Sequence, residues 1–243
     1  MGLLLWWIFS LLKPNLWKPN RIYQFQRPWR ETLLALLATA CTIGIGQLYA
    51  QHLLLPEVSV VKSPLTNLLN QLIIFSPFII LLIIRRQPLS TAWLPSGLAW
   101  PRLAMGLVMA VGSIFIFAQI YNSSSPFFDI LKNVYHPQNL GYVFQVFLQD
   151  FSVAVLLVRF KAAVGKKWFL LIIIMVAFLF SAAHYPLKLS QGLSFWVATR
   201  EVILDGFLVS AIVYVLQRSG DILWFWFLHF AMDMMQFYGG KPG

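Results

Sequence analysis

Charge is scarce in this 243-residue chain: eight Asp and Glu, 18 Lys and Arg, 11% of residues together. A soluble globular domain carries about a quarter, so a domain clothed in water-facing charge is excluded. There is one cysteine, Cys41, inside an apolar run. It excludes an intramolecular disulfide and reads as a small packing residue. No internal repeat or low-complexity tract interrupts the chain, which reads as a single membrane domain (31–243) behind a short N-terminal segment (1–30).

Hydrophobic residues, in contrast, make up 59% of the sequence. Apolar runs occupy about 32–54, 68–84, 103–121, 140–158, 168–184, 201–217 and 222–238. Several approach the roughly 20 residues needed to cross about 30 Å of hydrocarbon. They are too long and too uniform for the alternating strands of an outer-membrane barrel. The expected fold is all-α, a polytopic helical membrane protein with about seven transmembrane helices.

The net charge of +10 is arranged by loop. Thirteen of the basic residues fall before the first span or in alternate loops (Arg85, Arg86 and Arg102; Arg159, Lys161, Lys166 and Lys167; Arg218), and five in the intervening loops and tail. That asymmetry predicts a cytoplasmic N-terminus in a bacterial inner membrane or an organellar one. Such cations serve topology and lipid headgroups, so the lipid bilayer is the expected partner and nucleic acid is not.

The stretch 1–12 is apolar but too short to span, and neither the basic start nor the small-residue cleavage site of a signal peptide is present. An interfacial or re-entrant helix is expected, with Trp6, Trp7 and Trp17 at headgroup depth, or a contact with a partner protein. Ser76-Pro77 predicts a kink in the second span. Residues 85–102 are expected to lie along the cytoplasmic surface. His52 and His136, at a span end and in a loop, carry no expected chemistry.

Ionisable groups at membrane depth are costly unless paired, hydrated or reactive. Here they concentrate after about residue 140. Gln145, Gln149 and Ser152 form a stripe at helical spacing, with Asp150 about 100° round the helix from Gln149. Phe180 precedes His184 by one turn; His229, Asp233 and Gln236 share a face of the last span; Glu201 and Asp205 sit one turn apart. Side chains of this kind on successive helices are expected to face a common cavity. Such a cavity could activate water through a carboxylate or histidine and bind a developing oxyanion through a second histidine or an amide. Alternatively, His184, His229 and an acid could hold zinc with an open position. For each residue singly, interhelical hydrogen bonding is the competing role.

The segments AFLFSAAHYP and YVLQRSGDILWFWFLHFAMD resemble the second and third motifs of the intramembrane CAAX-protease and bacteriocin-processing family: Phe-x-x-x-His at Phe180 and His184, then His-x-x-x-Asn/Asp at His229 and Asp233. The resemblance covers about residues 140–238. It implies an intramembrane endopeptidase acting on a membrane-bound peptide, with His184 positioning water and His229 and Asp233 binding the oxyanion or a metal. The family's first motif, Glu-Glu-x-x-x-Arg, falls on QDFSVA (149–154). Gln149 replaces the glutamate that activates water, Asp150 the second glutamate, and Ala154 the arginine. Three readings follow: Asp150 serves as base; Glu201 or Asp205 supplies the carboxylate; or the site is inactive, and the chain acts as a scaffold, assembly or accessory factor for a membrane-protein partner. Arg159, a turn beyond the motif, is expected to snorkel to the interface. A transporter is a weaker alternative, since paired broken helices in two matching halves are not evident.

Overall fold

A computed structural model describes residues 2–12, 23–51, 53, 63–94, 99–120, 126–190 and 192–238. Among these the secondary structure is entirely helical, without a strand. The α-helices are α1 (Gly2–Leu12), α2 (Pro28–Ala50), α3 (Pro64–Ile84), α4 (Ala99–Ile120), α5 (Phe127–Val134), α6 (Leu140–Val164), α7 (Phe169–Ala183), α8 (Tyr185–Ser190), α9 (Phe195–Ser219) and α10 (Leu223–Tyr238).

Local chemistry sets several boundaries. Ser63 caps α3 by accepting from the Thr66 amide at 3.3 Å, and Ser194 caps α9 by accepting from the Val197 amide at 3.4 Å. Pro28 and Pro64 stand in the first turns of α2 and α3, where a missing N–H costs nothing. α9 ends at Gly220 in the left-handed conformation (φ 59°), which lets the chain reverse into α10. Pro77 lies inside α3, where the Ser76 hydroxyl donates to the Ile73 carbonyl at 2.8 Å.

Each of the seven apolar runs becomes one helix. Four helical stretches, Pro28–Tyr49, Leu65–Ile84, Ala99–Ile120 and Pro137–Val164, are long and apolar enough to cross a membrane. The other three differ for visible reasons. α7 and α10 have 15 and 16 residues, about 22–24 Å at 1.5 Å per residue, and α9 carries Arg200, Glu201, Asp205 and Arg218.

α6 is the centre of the bundle, touching α2, α3, α7 and α10; α4 pairs with α10, and α7 with α9. Glycines make two of these pairings close. A Cβ at Gly206 on α9 would sit 2.9 Å from the Phe178 ring on α7, and one at Gly106 on α4 would collide with the Trp224 backbone on α10. Small residues at such points let helices approach where lipid supplies no hydrophobic drive. Cys41 lies exposed on the outside of α2.

Three expectations are corrected. Trp6 is not displayed outward: it is 4% exposed and stacks on Trp224 of α10 at 5.5 Å, while α1 also packs on α4. Trp7 does stand half exposed, whereas Trp17 lies outside the described residues. The connection after α3 lies only partly on the surface: Arg86, Leu89 and Trp100 are exposed, but the turn within it is not. Thr91, Ala92 and Trp93 are buried against α6, and the Trp93 carbonyl accepts from the Ile222 amide at 3.1 Å.

Arg159 does not snorkel; it is fully buried. Its guanidinium donates to the Val155 carbonyl at 2.6 Å and to the Gln87 side-chain oxygen, and lies 5.5 Å from the Phe25 ring centre. Gln87 passes the contact on, donating to Glu31 at 2.7 Å, while Arg85 donates twice to the other Glu31 oxygen (3.0 and 2.5 Å). Compensation inside the protein replaces the route to water. Arg85, outside the span, is held above its ordinary pKa by that hydrogen bond and the carboxylate charge.

Candidate functional site

The helical repeat of α6 divides the polar constellation in two. Asp150 points toward α10 and is 4% exposed, its Oδ1 hydrogen-bonded to His229 Nδ1 at 2.9 Å. On the far edge of the imidazole, Nε2 lies 3.6 Å from Asp233 Oδ1. The Tyr142 hydroxyl, two turns before Asp150 on α6, donates to Asp233 Oδ2 at 3.0 Å. Phe225 stacks on the imidazole, with ring centres 5.1 Å apart. The histidine is thus clamped between two carboxylates and an aromatic face.

Gln149, about 100° round the helix, points the other way. It lines a cavity of about 200 Å³ with Ser152 and with His184 at the end of α7. α2 and α3 complete the wall with Thr39, Thr42, Gln47, Phe75 and Phe78. The His184 Nδ1–H donates to the Phe180 carbonyl at 2.9 Å, and the two rings lie 5.0 Å apart, which accounts for the Phe-x-x-x-His spacing in physical terms. Thr42 Oγ1 is buried without a hydrogen-bond partner.

Of the five predicted site residues, then, Gln149 and His184 share one space and Asp150, His229 and Asp233 another. The single shared pocket is corrected: α6 runs unbroken through 149–152, so Gln149 and Asp150 stand about 100° apart, and here those two faces meet different neighbours, the cavity and His229. The locally altered helix that Asp150 would need to stand in the place of the missing glutamate is not there, α6 being regular through 149–152. Glu201 and Asp205 do not line the cavity either. Both pair with Lys188 of α8, at 2.8 and 3.2 Å, on a face where they stand 37% and 48% exposed. Gln145 does not line the cavity, and the Gln236 side chain and His52 lie outside the described residues. His136 caps a short turn, accepting from the Gln138 amide.

The two-histidine zinc set is not assembled: His184 lines the cavity with Gln149, whereas His229 is bonded to Asp150 on another face of α6. Among the described residues no group of three or more His, Cys, Asp or Glu has a geometry that could hold a metal ion. Four contributors escaped the sequence reading: Tyr142, Thr39, Thr42 and Gln47. A signal was present for two of them, since Thr39, Thr42 and Gly46 recur at helical spacing on α2.

Chemically, the clamp has acid, base and donor in contact: Asp150 Oδ1 is bonded to His229 Nδ1 and Asp233 Oδ2 to Tyr142, while Asp150 Oδ2 is buried without a hydrogen-bond partner among the described residues. The cavity offers amides, hydroxyls and one imidazole, and no carboxylate among its lining residues. No family model, no curated protein and no solved structure matches the chain.

Proposed function

We propose that this chain is a non-hydrolytic, membrane-embedded accessory or assembly factor of the architecture that the CAAX-protease resemblance implies. One observation carries the reading. Among the described residues the cavity holding Gln149 and His184 has no carboxylate in its lining, and the nearest acid in sequence, Asp150, faces α10 in a hydrogen bond to His229. Peptide hydrolysis there would need a group to take the proton from water and a charge to stabilise its transfer. Gln149 does neither.

In this proposal α2, α3, α4, α6, α7, α9 and α10 all cross the membrane, with the N-terminus and the basic loops on the cytoplasmic side. The burial of α6 and the outward apolar faces of the helices around it support such an arrangement. Trp100, Phe128 and Trp196, each more than two-thirds exposed, offer aromatic surface to lipid or to a partner helix.

A competing reading, an intramembrane endopeptidase using His184 as base, draws on one feature. With Nδ1 donating to Phe180, the neutral ring leaves Nε2 as a free acceptor. The two are separated by incubating purified protein with a membrane-embedded reporter peptide. The expected outcome is no turnover by wild type or His184→Ala, and the same monodisperse fold in both. Cleavage by wild type that disappears in His184→Ala would replace the accessory-factor reading with the protease.

A further inference from the structure

The cavity beside Gln149 has the make-up of a ligand site. Three of its hydrogen-bonding groups are unspent: the Gln47 and Gln149 amides make no side-chain hydrogen bond among the described residues, and the Thr42 hydroxyl, more than nine-tenths buried, has no partner among them. A buried polar group left in that condition costs free energy until something meets it. Among the described residues none that line it is an acid, a lysine or an arginine, so a phosphate, carboxylate or ammonium headgroup would find no counter-charge among them. Phe75, Phe78 and Phe180 supply flat apolar walls.

Size and access narrow the class. An apolar cavity of about 150 Å³ accommodates benzene, so about 200 Å³ takes one six-membered ring with small substituents. α2 and α7 each line the cavity and pack on α6 but not extensively on one another, which leaves a gap between them. A tail could leave by that gap.

We propose that this cavity binds an isoprenoid-quinone-type molecule, a neutral ring bearing carbonyl oxygens on an apolar tail. The ring lies among the phenylalanines, the carbonyls accept from Gln149, Gln47 and Thr42, and the tail runs out between α2 and α7. The proposal rests on the non-hydrolytic reading only in treating the cavity as a binding site.

Two glycines on α2 make the test specific. Gly46 lines the cavity, and a Cβ there meets only Ile74, at 3.8 Å; Gly44 does not line the cavity, and a Cβ there meets nothing within 4 Å. Gly→Leu raises helix propensity at either position, but only Gly46→Leu fills the cavity. Full-length protein in mild detergent is titrated calorimetrically with decyl-ubiquinone, a short-tailed quinone, and separately with monoolein, a neutral ester lipid. Saturable quinone binding is expected, unchanged within about twofold in Gly44→Leu and weakened at least tenfold in Gly46→Leu. Gln149→Leu should weaken it about tenfold, the worth of one well-made hydrogen bond.

Equal binding by Gly46→Leu, monoolein binding as tight as the quinone, or no saturable heat with wild type would each overturn the proposal. Thermal melts establish that both leucine variants are folded. Reporter cleavage, by contrast, would overturn the non-hydrolytic reading and leave the quinone titration standing on its own.

Discussion

Replacing Asp150 with alanine tests whether the motif's acid is part of the framework or of a reaction. Asp150 is almost fully buried, and its removal leaves His229 Nδ1 without an acceptor 2.9 Å away and Asp233 as the only remaining acid on the ring. Ordinary interhelical hydrogen bonds in membrane proteins contribute about 0.6 kcal/mol on average and at most about 1.7. Breaking a buried charged pair costs about 3–5 kcal/mol, because one partner is left uncompensated. Asp233 still stands 3.6 Å from the imidazole after the substitution, so the loss falls between the two figures, about 2–4 kcal/mol. A chain of this size shifts its Tm by roughly 2–4 °C per kcal/mol, so Asp150→Ala should lower Tm by about 4–16 °C. Gln149→Ala, which loses no hydrogen bond, should move it by less than about 3 °C. Thermal unfolding in one detergent, with His229→Ala and the double variant, completes a cycle whose coupling should exceed about 1.7 kcal/mol. Additive effects, or an Asp150→Ala melt within 2–3 °C of wild type, would refute the clamp as a structural element.

At the α7–α9 contact, Gly206→Leu should lower Tm by several degrees while Gly44→Leu leaves it unchanged or raised, since only the first meets a ring at 2.9 Å. In the buried network, Glu31→Ala should cost at least about 5 °C more than Arg159→Leu. The first strands Arg159 in the interior, whereas the second leaves Glu31 still bonded to Arg85 and Gln87. Asp221, in the turn before α10, has its pKa raised to about 6 by burial, against the opposing pull of the Leu223 amide and of Arg102 at 2.9 Å. An acid whose folded pKa lies above its unfolded value near 3.8 destabilises the fold as it ionises. Its contribution to stability should therefore decline between about pH 4 and pH 6 and level off above. Asp221→Asn keeps the side-chain oxygen that accepts from Leu223 and should flatten that segment of a Tm-versus-pH curve.

Much of the architecture was legible in the chain before any coordinates. Seven apolar runs became seven helices, because in lipid a backbone must satisfy its own hydrogen bonds, and apolar length translates directly into helix. Phe180–His184 and His229–Asp233 are contacts within one helix, or at its end, so spacing alone foretold them. The fate of Arg159 was not legible: its compensation comes from Gln87 and Glu31, 72 and 128 positions away in sequence. The same holds for Trp6, whose partner Trp224 lies at the other end of the chain.

The candidate site shows where that boundary falls. Periodicity already placed Gln149 and Asp150 about 100° apart on α6, and so on different faces. Which neighbour each face would meet depended on the packing of α10 against one side and of α2, α3 and α7 around the other. Helix and stripe are short-range consequences of backbone geometry and hydropathy, and sequence is enough to settle them. Whether Asp150 meets His229 or a cavity is a long-range choice among helix faces of similar apolarity, decided by the small residues and side-chain shapes that let particular helices approach.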